Sequence, residues 1–427
     1  MDQKTLMVPE AQVSGSRPAR FFFRRYPQFA LFWTGQTFSN FGSHISAAGL
    51  PIVALELLQA SSLQLGLLVA CNSLPVLLLS LLAGVWIDRW PRRPIMILSD
   101  FGRGLLLGAI PLAALLGGLR IELLYLVTFL ISILTIFFEV AQRSWLPALL
   151  QEQDLIEGNS QLGVSEALAE IAGPPSAAWL IQLLHAPLAI LLDAGTFLLS
   201  AVSIWCIHAP EGLLEPAEAP QRFWQDLLEG VQLLWRQPYL RAMAAYSGLF
   251  NFFGGSFATL YMLYLISNLH LPLIAYGLMV AMGGIGNLLG AMLASRVARR
   301  YGGGRTMIAC ALLFGVTALG TPLAAGPVWW LLVVLALTQL LGDCALTIYM
   351  VNEMSWRQTQ VPEKFQGRIN ACMHLIQNGI GPLGAIVAGL CSQAINDVRL
   401  TLLYGSIGML LAAAPLLISP LRKRQTT

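Results

Sequence analysis

Long apolar stretches recur along the whole chain, and they constrain its fold more than any other feature. Hydrophobic residues make up 56% of the sequence and charged residues only 11%, whereas a soluble domain has about 25% charged residues. A stretch of about 20 apolar residues lets a helix cross the roughly 30 Å hydrocarbon core of a bilayer. We therefore predict an all-α membrane protein with twelve transmembrane helices. The predicted segments are residues 29–57, 63–87, 95–117, 121–143, 160–183, 187–208, 242–267, 273–295, 305–325, 328–353, 369–393 and 398–419.

The positions of the basic residues predict how these segments are oriented. Lys and Arg concentrate in the cytoplasmic connections of membrane proteins. If the N-terminus lies inside, every Lys and Arg except Arg120 and Arg399 falls on the inner side. We therefore predict a multi-pass protein of a bacterial cytoplasmic (inner) membrane with both termini in the cytoplasm. The N-terminal stretch is polar and carries arginines, so it does not have the pattern of a removable signal peptide.

One long polar connection divides the chain into two halves of six segments. Within it, apolar residues recur every three or four positions from Phe223 to Trp235, which predicts an amphipathic helix lying on the membrane surface. The predicted units are a cytoplasmic tail over 1–26, an N-terminal half over 27–208, the linker with its helix over 209–240, a C-terminal half over 241–420 and a second tail over 421–427.

A short charged connection joins segments 2 and 3, with the sequence Gly84-Val85-Trp86-Ile87-Asp88-Arg89-Trp90-Pro91-Arg92-Arg93. It resembles the loop-2/3 signature of the major facilitator superfamily. A weaker copy, Gly290-Ala-Met-Leu-Ala-Ser-Arg296-Val-Ala-Arg299-Arg300, follows segment 8. The resemblance implies a transporter built from two pseudo-symmetric halves in parallel orientation.

Two further landmarks repeat between the halves. Gly173-Pro174 in segment 5 matches Gly381-Pro382 in segment 11. Glu139-x-x-x-Arg143 at the inner end of segment 4 likewise matches Glu353-x-x-x-Arg357 in segment 10. These matches support an internal duplication, and the small residues predict close helix packing at Gly173, Pro174, Gly381 and Pro382.

Three other stretches narrow the resemblance. They are Val361-Pro362-Glu363-Lys364-Phe365-Gln366-Gly367-Arg368-Ile369-Asn370, Leu146-Pro147-Ala148-Leu149 followed by Asn159, and Leu192-Asp193-Ala194-Gly195-Thr196-Phe197-Leu198. All three are similar to stretches of the drug:proton antiporter-3 group, which includes the enterobactin exporter and macrolide efflux proteins. The resemblance covers roughly residues 24 to 420 and implies an exporter. Gly173-Pro174 departs from the group's pattern, because Pro175 rather than glycine follows it.

The charged connection predicts a latch at the inner mouth of the N-terminal half. Asp88 can pair with Arg143, and Arg92 or Arg93 can reach Glu139; such pairs are worth about 1 kcal/mol each at a semi-aqueous site. The alternative, a positive cluster that only sets orientation, explains the arginines but not Asp88. The predicted gate residues are Gly84, Asp88, Arg89, Arg92, Arg93, Glu139, Arg143, Glu353 and Arg357.

Acidic residues within the membrane segments are candidate proton carriers, because ionisable groups there are costly and usually face an interior path. Glu166 and Glu170 lie one turn apart on segment 5, so one of them should hold a proton. Asp343 on segment 10 and Asp193 on segment 6 are further candidates. Alternatively, these acids only orient helices through neighbouring hydroxyls or arginines. Asp100 and Arg103 are spaced for mutual pairing.

Polar residues on one face of segments 1, 7 and 11 predict the lining of a substrate cavity. Interhelical hydrogen bonding, worth about 0.6 kcal/mol per bond in membranes, is the alternative. The cavity candidates are Gln36, Asn40, His44, Asn251, Thr259, His374, Gln377 and Asn378.

Together these features predict a secondary active efflux transporter that exports an amphipathic small molecule, such as a drug, a siderophore or a secondary metabolite, with alternating access and proton antiport. An uptake permease or lipid transporter on the same fold is the alternative. A membrane enzyme is disfavoured, because the chain has no H-E-x-x-H, G-x-S-x-G or Walker motif. Its six cysteines lack CxxC pairing, so no metal site is expected. We expect no cofactor beyond the proton gradient, and no partners other than a small-molecule substrate and the lipid bilayer; nucleic acid and an obligatory protein partner are not expected.

Overall fold

The computed structural model describes residues 19–87, 90–208 and 223–422. Within these ranges the regular structure is entirely helical. After the short α1 (Ala19–Arg25), the N-terminal half consists of α2 (Pro27–Ile52), α3 (Ser62–Ile87), α4 (Arg92–Leu115), α5 (Ile121–Leu149), α6 (Leu155–Leu184) and α7 (Ala186–Cys206). The linker helix is α8 (Phe223–Arg236), and the C-terminal half consists of α9 (Pro238–Leu263), α10 (Leu273–Tyr301), α11 (Gly303–Leu323), α12 (Val328–Gln360), α13 (Glu363–Ile395), α14 (Val398–Leu411) and α15 (Ala414–Ile418).

Each of the twelve predicted segments coincides with a long helix or, for the last one, with α14 and α15 in succession. Ten membrane spans by length and apolar composition lie among the described residues. Of the two long helices outside that group, α2 packs against α6 and α7, and α6 packs against α2 and α10. Polar side chains such as Glu166 and Glu170 lower the hydropathy of α6. Both α2 and α9 continue into a five-residue π-helical turn, Val53–Leu57 and Tyr264–Asn268, which repeats one local feature in the two halves.

The halves meet along two pairs of helices, α3 with α13 and α6 with α10. Glycines permit this approach. A Cβ atom added at Gly66 would lie 2.5 Å from the carbonyl oxygen of Ala385, and one added at Gly277 would lie 2.5 Å from that of Pro174. Such close backbone contact is typical of membrane helices, whose association depends on small residues rather than on a hydrophobic driving force.

The hydrophobic clusters differ between the two ends of the molecule. We call the end where α2 and α9 begin the linker side, and the opposite end the far side. On the far side one cluster joins both halves, since Ile52 and Ala177 belong to it together with Met262 of α9. On the linker side the cluster around Trp145 lies within the N-terminal half and the cluster around Tyr246 within the C-terminal half. Among the described residues, the hydrophobic cores of the halves are therefore joined on the far side and separate on the linker side.

Candidate functional site

A cavity of about 710 Å³ lies between the halves, from the middle of the bundle toward the far side. Ser46, Asn72 and Thr128 contribute to its N-terminal wall, while residues of α9 to α14 form the rest. This volume is within the range of small-molecule sites. Four of the predicted cavity residues lie in the wall, together with both residues of the second Gly-Pro pair: Asn251, Thr259, Gln377, Asn378, Gly381 and Pro382.

The other four predicted cavity residues lie elsewhere. Gln36 is buried inside the N-terminal half, where its Nε2 donates a hydrogen bond to Oγ of Ser200 at 2.8 Å. His44 packs against Gly173, and His374 is exposed. Asn40, on the same helix as Gln36, is also outside the wall. The correction has one physical cause on α2: the polar face from Gln36 to His44 turns toward α6 and α7, and the wall begins only at Ser46.

The wall has one acidic side chain and an aromatic surface. Asp343 is the only Asp, Glu, Lys, Arg or His among the described residues that line the cavity. Phe250, Phe257, Tyr261 and Tyr276 add aromatic rings. A carboxylate together with aromatic faces attracts organic cations, through charge and through the ring quadrupole.

Next to this wall, polar side chains of both halves meet in what we call the interface cluster: Glu170, Asn287, Thr347, Asp343 and Gln339. Nδ2 of Asn287 on α10 donates to Oε1 of Glu170 on α6 at 2.6 Å, and Oδ1 of Asn287 accepts from Thr347 at 2.8 Å. Nε2 of Gln339 donates to Asp343 at 2.6 Å. The Glu170–Asn287 bond therefore joins the two halves.

The two carboxyl groups of the interface cluster are close enough for their charges to interact. The charge of Glu170 also acts on His44 of α2. Two carboxylates in a region of low dielectric repel each other when both are ionised. The arrangement can therefore bind a proton, or a cationic group, in place of the second negative charge.

Glu166 and Glu170 occupy different environments, contrary to the prediction that they act as a stacked pair. Glu166 is exposed on the linker-side part of α6. Glu170 is partly buried and bound to Asn287. The acid that lies close to Glu170 is Asp343, on the other half. Sequence reasoning missed Asn287, although it is the polar side chain in a glycine-rich part of α10 that includes Gly283, Gly284 and Gly286.

A second polar cluster is enclosed in the N-terminal half between α4 and α7. Arg103 binds Asp100 in an ion pair, as their spacing predicts, and the second carboxylate oxygen of Asp100 accepts from Oγ of Ser200 at 2.6 Å. Asp193 is fully buried and accepts hydrogen bonds from Ser46 and, at 3.0 Å, from Thr196.

The predicted gate residues are only partly described. Asp88 and Arg89 lie outside the described residues, and of Gly84 only its place in α3 is described. Arg93 donates to the carbonyl oxygens of Ile204 at 3.2 Å and Trp205 at 2.5 Å, at the end of α7. Such donors satisfy carbonyls that a helix end leaves free.

The two Glu-x-x-x-Arg copies differ. Glu353 and Arg357 form an ion pair at 2.9 Å, and Arg357 also donates to Asn370 of α13 at 2.9 Å. Glu139 and Arg143 are both exposed. The latch from Asp88 to Arg143, and from Arg92 or Arg93 to Glu139, stays a prediction.

The two Gly-Pro pairs also differ. A Cβ atom at Gly173 would lie 2.4 Å from the His44 ring, so this glycine allows α6 to approach α2. At Gly381 the nearest atom would be the carbonyl oxygen of Asn251 at 4.0 Å. The carbonyl oxygen of Gly381 nevertheless lies in the close contact between α13 and α9, because a Cβ atom added at Gly255 would be 3.0 Å from it. The closest approach is one turn later at Gly384, where a Cβ atom would lie 1.9 Å from the carbonyl oxygen of Phe252. The predicted packing role of Gly381 stays a prediction.

Known proteins resemble the chain over most of its length. The multidrug efflux pump Tap of Mycolicibacterium fortuitum is 26% identical over 391 residues, which cover 87% of this chain and 90% of Tap. The enterobactin exporter EntS of Citrobacter koseri is 25% identical over 389 residues, which cover 87% of each protein. The solved structure of the nucleoside transporter NupG, 14% identical, shares the fold with a TM-score of 0.76 over 91% of this chain and 98% of that one.

The family model of the Major Facilitator Superfamily matches residues 32–385 and 244–426. The match covers all the long helices, and the relatives and the shared fold agree with it. The chain therefore belongs to the major facilitator superfamily and is a multi-pass membrane transporter, not an enzyme.

Proposed function

We propose that this transporter exports amphipathic organic cations from the cytoplasm in exchange for protons, by alternating access. The interface cluster carries the proposal, because it places two carboxyl groups at the contact between the halves and one of them in the cavity wall. Similarity to an efflux pump and to an exporter supports the outward direction.

The linker side corresponds to the cytoplasm in this proposal. Arg120 and Arg399 are the basic residues at the far side, whereas the other arginines and lysines lie toward the linker side or in the tails. This distribution supports a cytoplasmic location for both termini in an inner membrane. The separate cores of the halves on the linker side then describe an inward-open state, ready to receive substrate from the cytoplasm.

Protonation of Glu170 couples the proton to the movement of the halves. In the ionised state Glu170 accepts a charge-assisted hydrogen bond from Asn287, which is stronger than a neutral one. Rocking α6 away from α10 must break this bond. A proton on Glu170 weakens the bond and so shifts the equilibrium between the inward-open and outward-open states.

Asp343 binds the cationic group of the substrate. Its carboxylate lies in a wall with aromatic rings, and no basic side chain opposes it among the described lining residues. A bound cation and a proton both neutralise the pair formed by Asp343 and Glu170. Substrate and proton therefore compete for the same negative charge, which is the requirement for antiport.

Efflux from preloaded bacterial cells that lack their own efflux pumps tests this function. Cells expressing the chain are loaded with ethidium, an aromatic cation, or with a fluorescent catecholate anion, and efflux is followed with and without a protonophore. We expect faster ethidium efflux that the protonophore abolishes, and no effect on the anion. Export of the anion alone would overturn the cation assignment, and ethidium efflux that persists with the protonophore would overturn proton coupling.

Matched variants test whether Glu170 and Asp343 are the carboxyl groups that bind the proton and the substrate cation. Glu170→Gln and Asp343→Asn should each lower protonophore-sensitive efflux at least tenfold, with the protein still present in the membrane. Glu166→Gln is the control, because it changes the same residue type one turn away on an exposed surface. Equal loss in all three variants, or normal transport by Glu170→Gln, would contradict the assignment.

A further inference from the structure

The buried cluster between α4 and α7 has an unequal number of charges. Asp100 and Asp193 are both 0% exposed, and Arg103 is 6% exposed. Among the described residues, Arg103 is the basic side chain that faces both acids: it forms an ion pair with Asp100, and its charge also acts on Asp193. With both acids ionised, the cluster would therefore carry one uncompensated negative charge. Burying such a charge is so costly that the group binds a proton instead.

The contacts indicate which acid holds the proton. Asp100 contacts the guanidinium of Arg103 directly and accepts a further hydrogen bond from Ser200 at 2.6 Å, so it is stabilised as a carboxylate. Asp193 contacts two neutral hydroxyl groups, those of Ser46 and Thr196. A hydroxyl accepts hydrogen bonds as well as donating them, so these contacts also suit a protonated carboxyl group.

Within the described part of the chain, the surrounding helices supply no second cation. Arg103 lies between the rings of Phe138 and Phe197, with its guanidinium carbon 4.5 and 4.4 Å from their centroids. The other charge that reaches Arg103 is that of Glu139 on α5, which is also negative. From α2, the side chain that contacts Asp193 is the Ser46 hydroxyl.

Ser46 connects this cluster to the cavity. It is 7% exposed, lines the cavity wall and contacts Asp193. Close packing allows this contact, since a Cβ atom at Gly42, one turn earlier on α2, would lie 2.4 Å from Oδ1 of Asp193. Thus a single hydroxyl separates the buried carboxyl group from the space that substrate and water enter.

We propose that Asp193 is a second proton-binding site of this transporter, loaded from the cavity through the hydroxyl of Ser46 and separate from the interface cluster. In each transfer Asp193 gives its proton to Ser46 Oγ while Ser46 passes its own proton to a water molecule in the cavity. The return path reverses these two steps. The role of this proton in export rests on the proposed proton coupling, whereas its presence on Asp193 does not.

Infrared difference spectroscopy of the purified full-length protein tests the site directly. A protonated carboxylic acid has a carbonyl stretching band that a carboxylate lacks, and the band shifts when a hydrogen-bond partner is removed. We expect Asp193→Asn to remove one such band, and Ser46→Ala to shift that band and slow its exchange in deuterium oxide at least tenfold. Ser200→Ala, which removes a partner of Asp100, should leave the band unchanged.

Two results would overturn the proposal. If Ser200→Ala shifts the band and Ser46→Ala does not, the proton is on Asp100. If Asp193→Asn leaves every carbonyl band unchanged, Asp193 is ionised. Ser46→Ala keeps both acids in place, so it decides the question even where Asp193→Asn does not fold. The bands of Glu170 and Asp343 are identified separately with Glu170→Gln and Asp343→Asn, so a failure of the interface cluster is distinguishable from a failure of this site.

Discussion

The two halves repeat the same helices but differ in what those helices enclose. In the N-terminal half, α4 packs on α7 around Asp100, Arg103 and Asp193. The corresponding helices of the C-terminal half, α11 and α14, also pack together. There, Oγ of Ser406 on α14 donates to the carbonyl oxygen of Ala318 on α11 at 3.1 Å. One pair of helices encloses charges, and the other encloses a hydroxyl group bound to the backbone.

This difference shows that the duplicated helix framework does not determine the polar chemistry inside it. Small side chains at helix contacts are sufficient for the packing of both pairs. The buried charges between α4 and α7 are not needed for this packing. The free-energy cost of removing them from water must be offset by pairing the ionised acid with the cation. In the C-terminal half the acid Asp343 is instead placed in the cavity wall. The halves therefore contribute different kinds of acidic group to one transporter.

Among the variants that compare the two halves, removal of Arg103 should lower the free energy of unfolding the most. Arg103→Met leaves Asp100 and Asp193 without a cation in a buried site, and breaking a buried pair in this way costs about 3–5 kcal/mol. Ser406→Ala in the C-terminal half removes a single hydroxyl that bonds α14 to α11 and should cost about 0.6 kcal/mol. Denaturant unfolding of the purified protein in lipid micelles measures both values.

The double variant Arg103→Met with Asp100→Asn provides the control. It removes both partners of the ion pair and leaves Asp193, which stays neutral when protonated. We expect it to regain more than half of the stability lost by Arg103→Met. Equal losses for Arg103→Met and Ser406→Ala would show that the two interiors are energetically alike.

The Glu-x-x-x-Arg repeat offers a second comparison of the halves, with a smaller expected difference in stability between the two variants. Glu353 is 3% exposed and pairs with Arg357 at 2.9 Å. Glu353→Gln removes a charged hydrogen-bond partner and should cost about 1.5–3 kcal/mol. Glu139→Gln, at an exposed position, should leave the denaturation midpoint unchanged. If Glu139→Gln destabilises the protein as much as Glu353→Gln, then Glu139 has a buried partner such as the arginines of the charged connection.

The helix framework could be predicted almost entirely from the sequence. Apolar length and basic loops are local properties, so the twelve segments and the surface helix α8 coincide with the helices of the structure. The family resemblance also followed from local motifs, because residues such as Asp88 and Arg92 are close together in the chain.

The site could be predicted only in part, because which face of a helix looks into the cavity depends on its neighbours. On α13, Gln377 and Asn378 are in the wall while His374, one turn away, is exposed. Glu170 was assigned Glu166 as a partner because the two are near in sequence, whereas its partner Asn287 lies in the other half. A single sequence does not show contacts across halves.

The Gly-Pro repeat gives the smallest expected effect and the most direct comparison of matched positions. Gly173→Ala forces the His44 ring away from a Cβ atom that would lie 2.4 Å from it, a cost of about 1–3 kcal/mol. Alanine also stabilises a helix interior by about 0.5–1 kcal/mol relative to glycine, so the net loss should be about 1 kcal/mol.

The matched variant Gly381→Ala should make the protein slightly more stable, because the added Cβ atom meets no atom closer than 4.0 Å among the described residues. Denaturation midpoints of the two variants, measured together, check the sign of each change. Destabilisation by Gly381→Ala would mean that α13 packs more closely on α9 at this point than the 4.0 Å contact indicates.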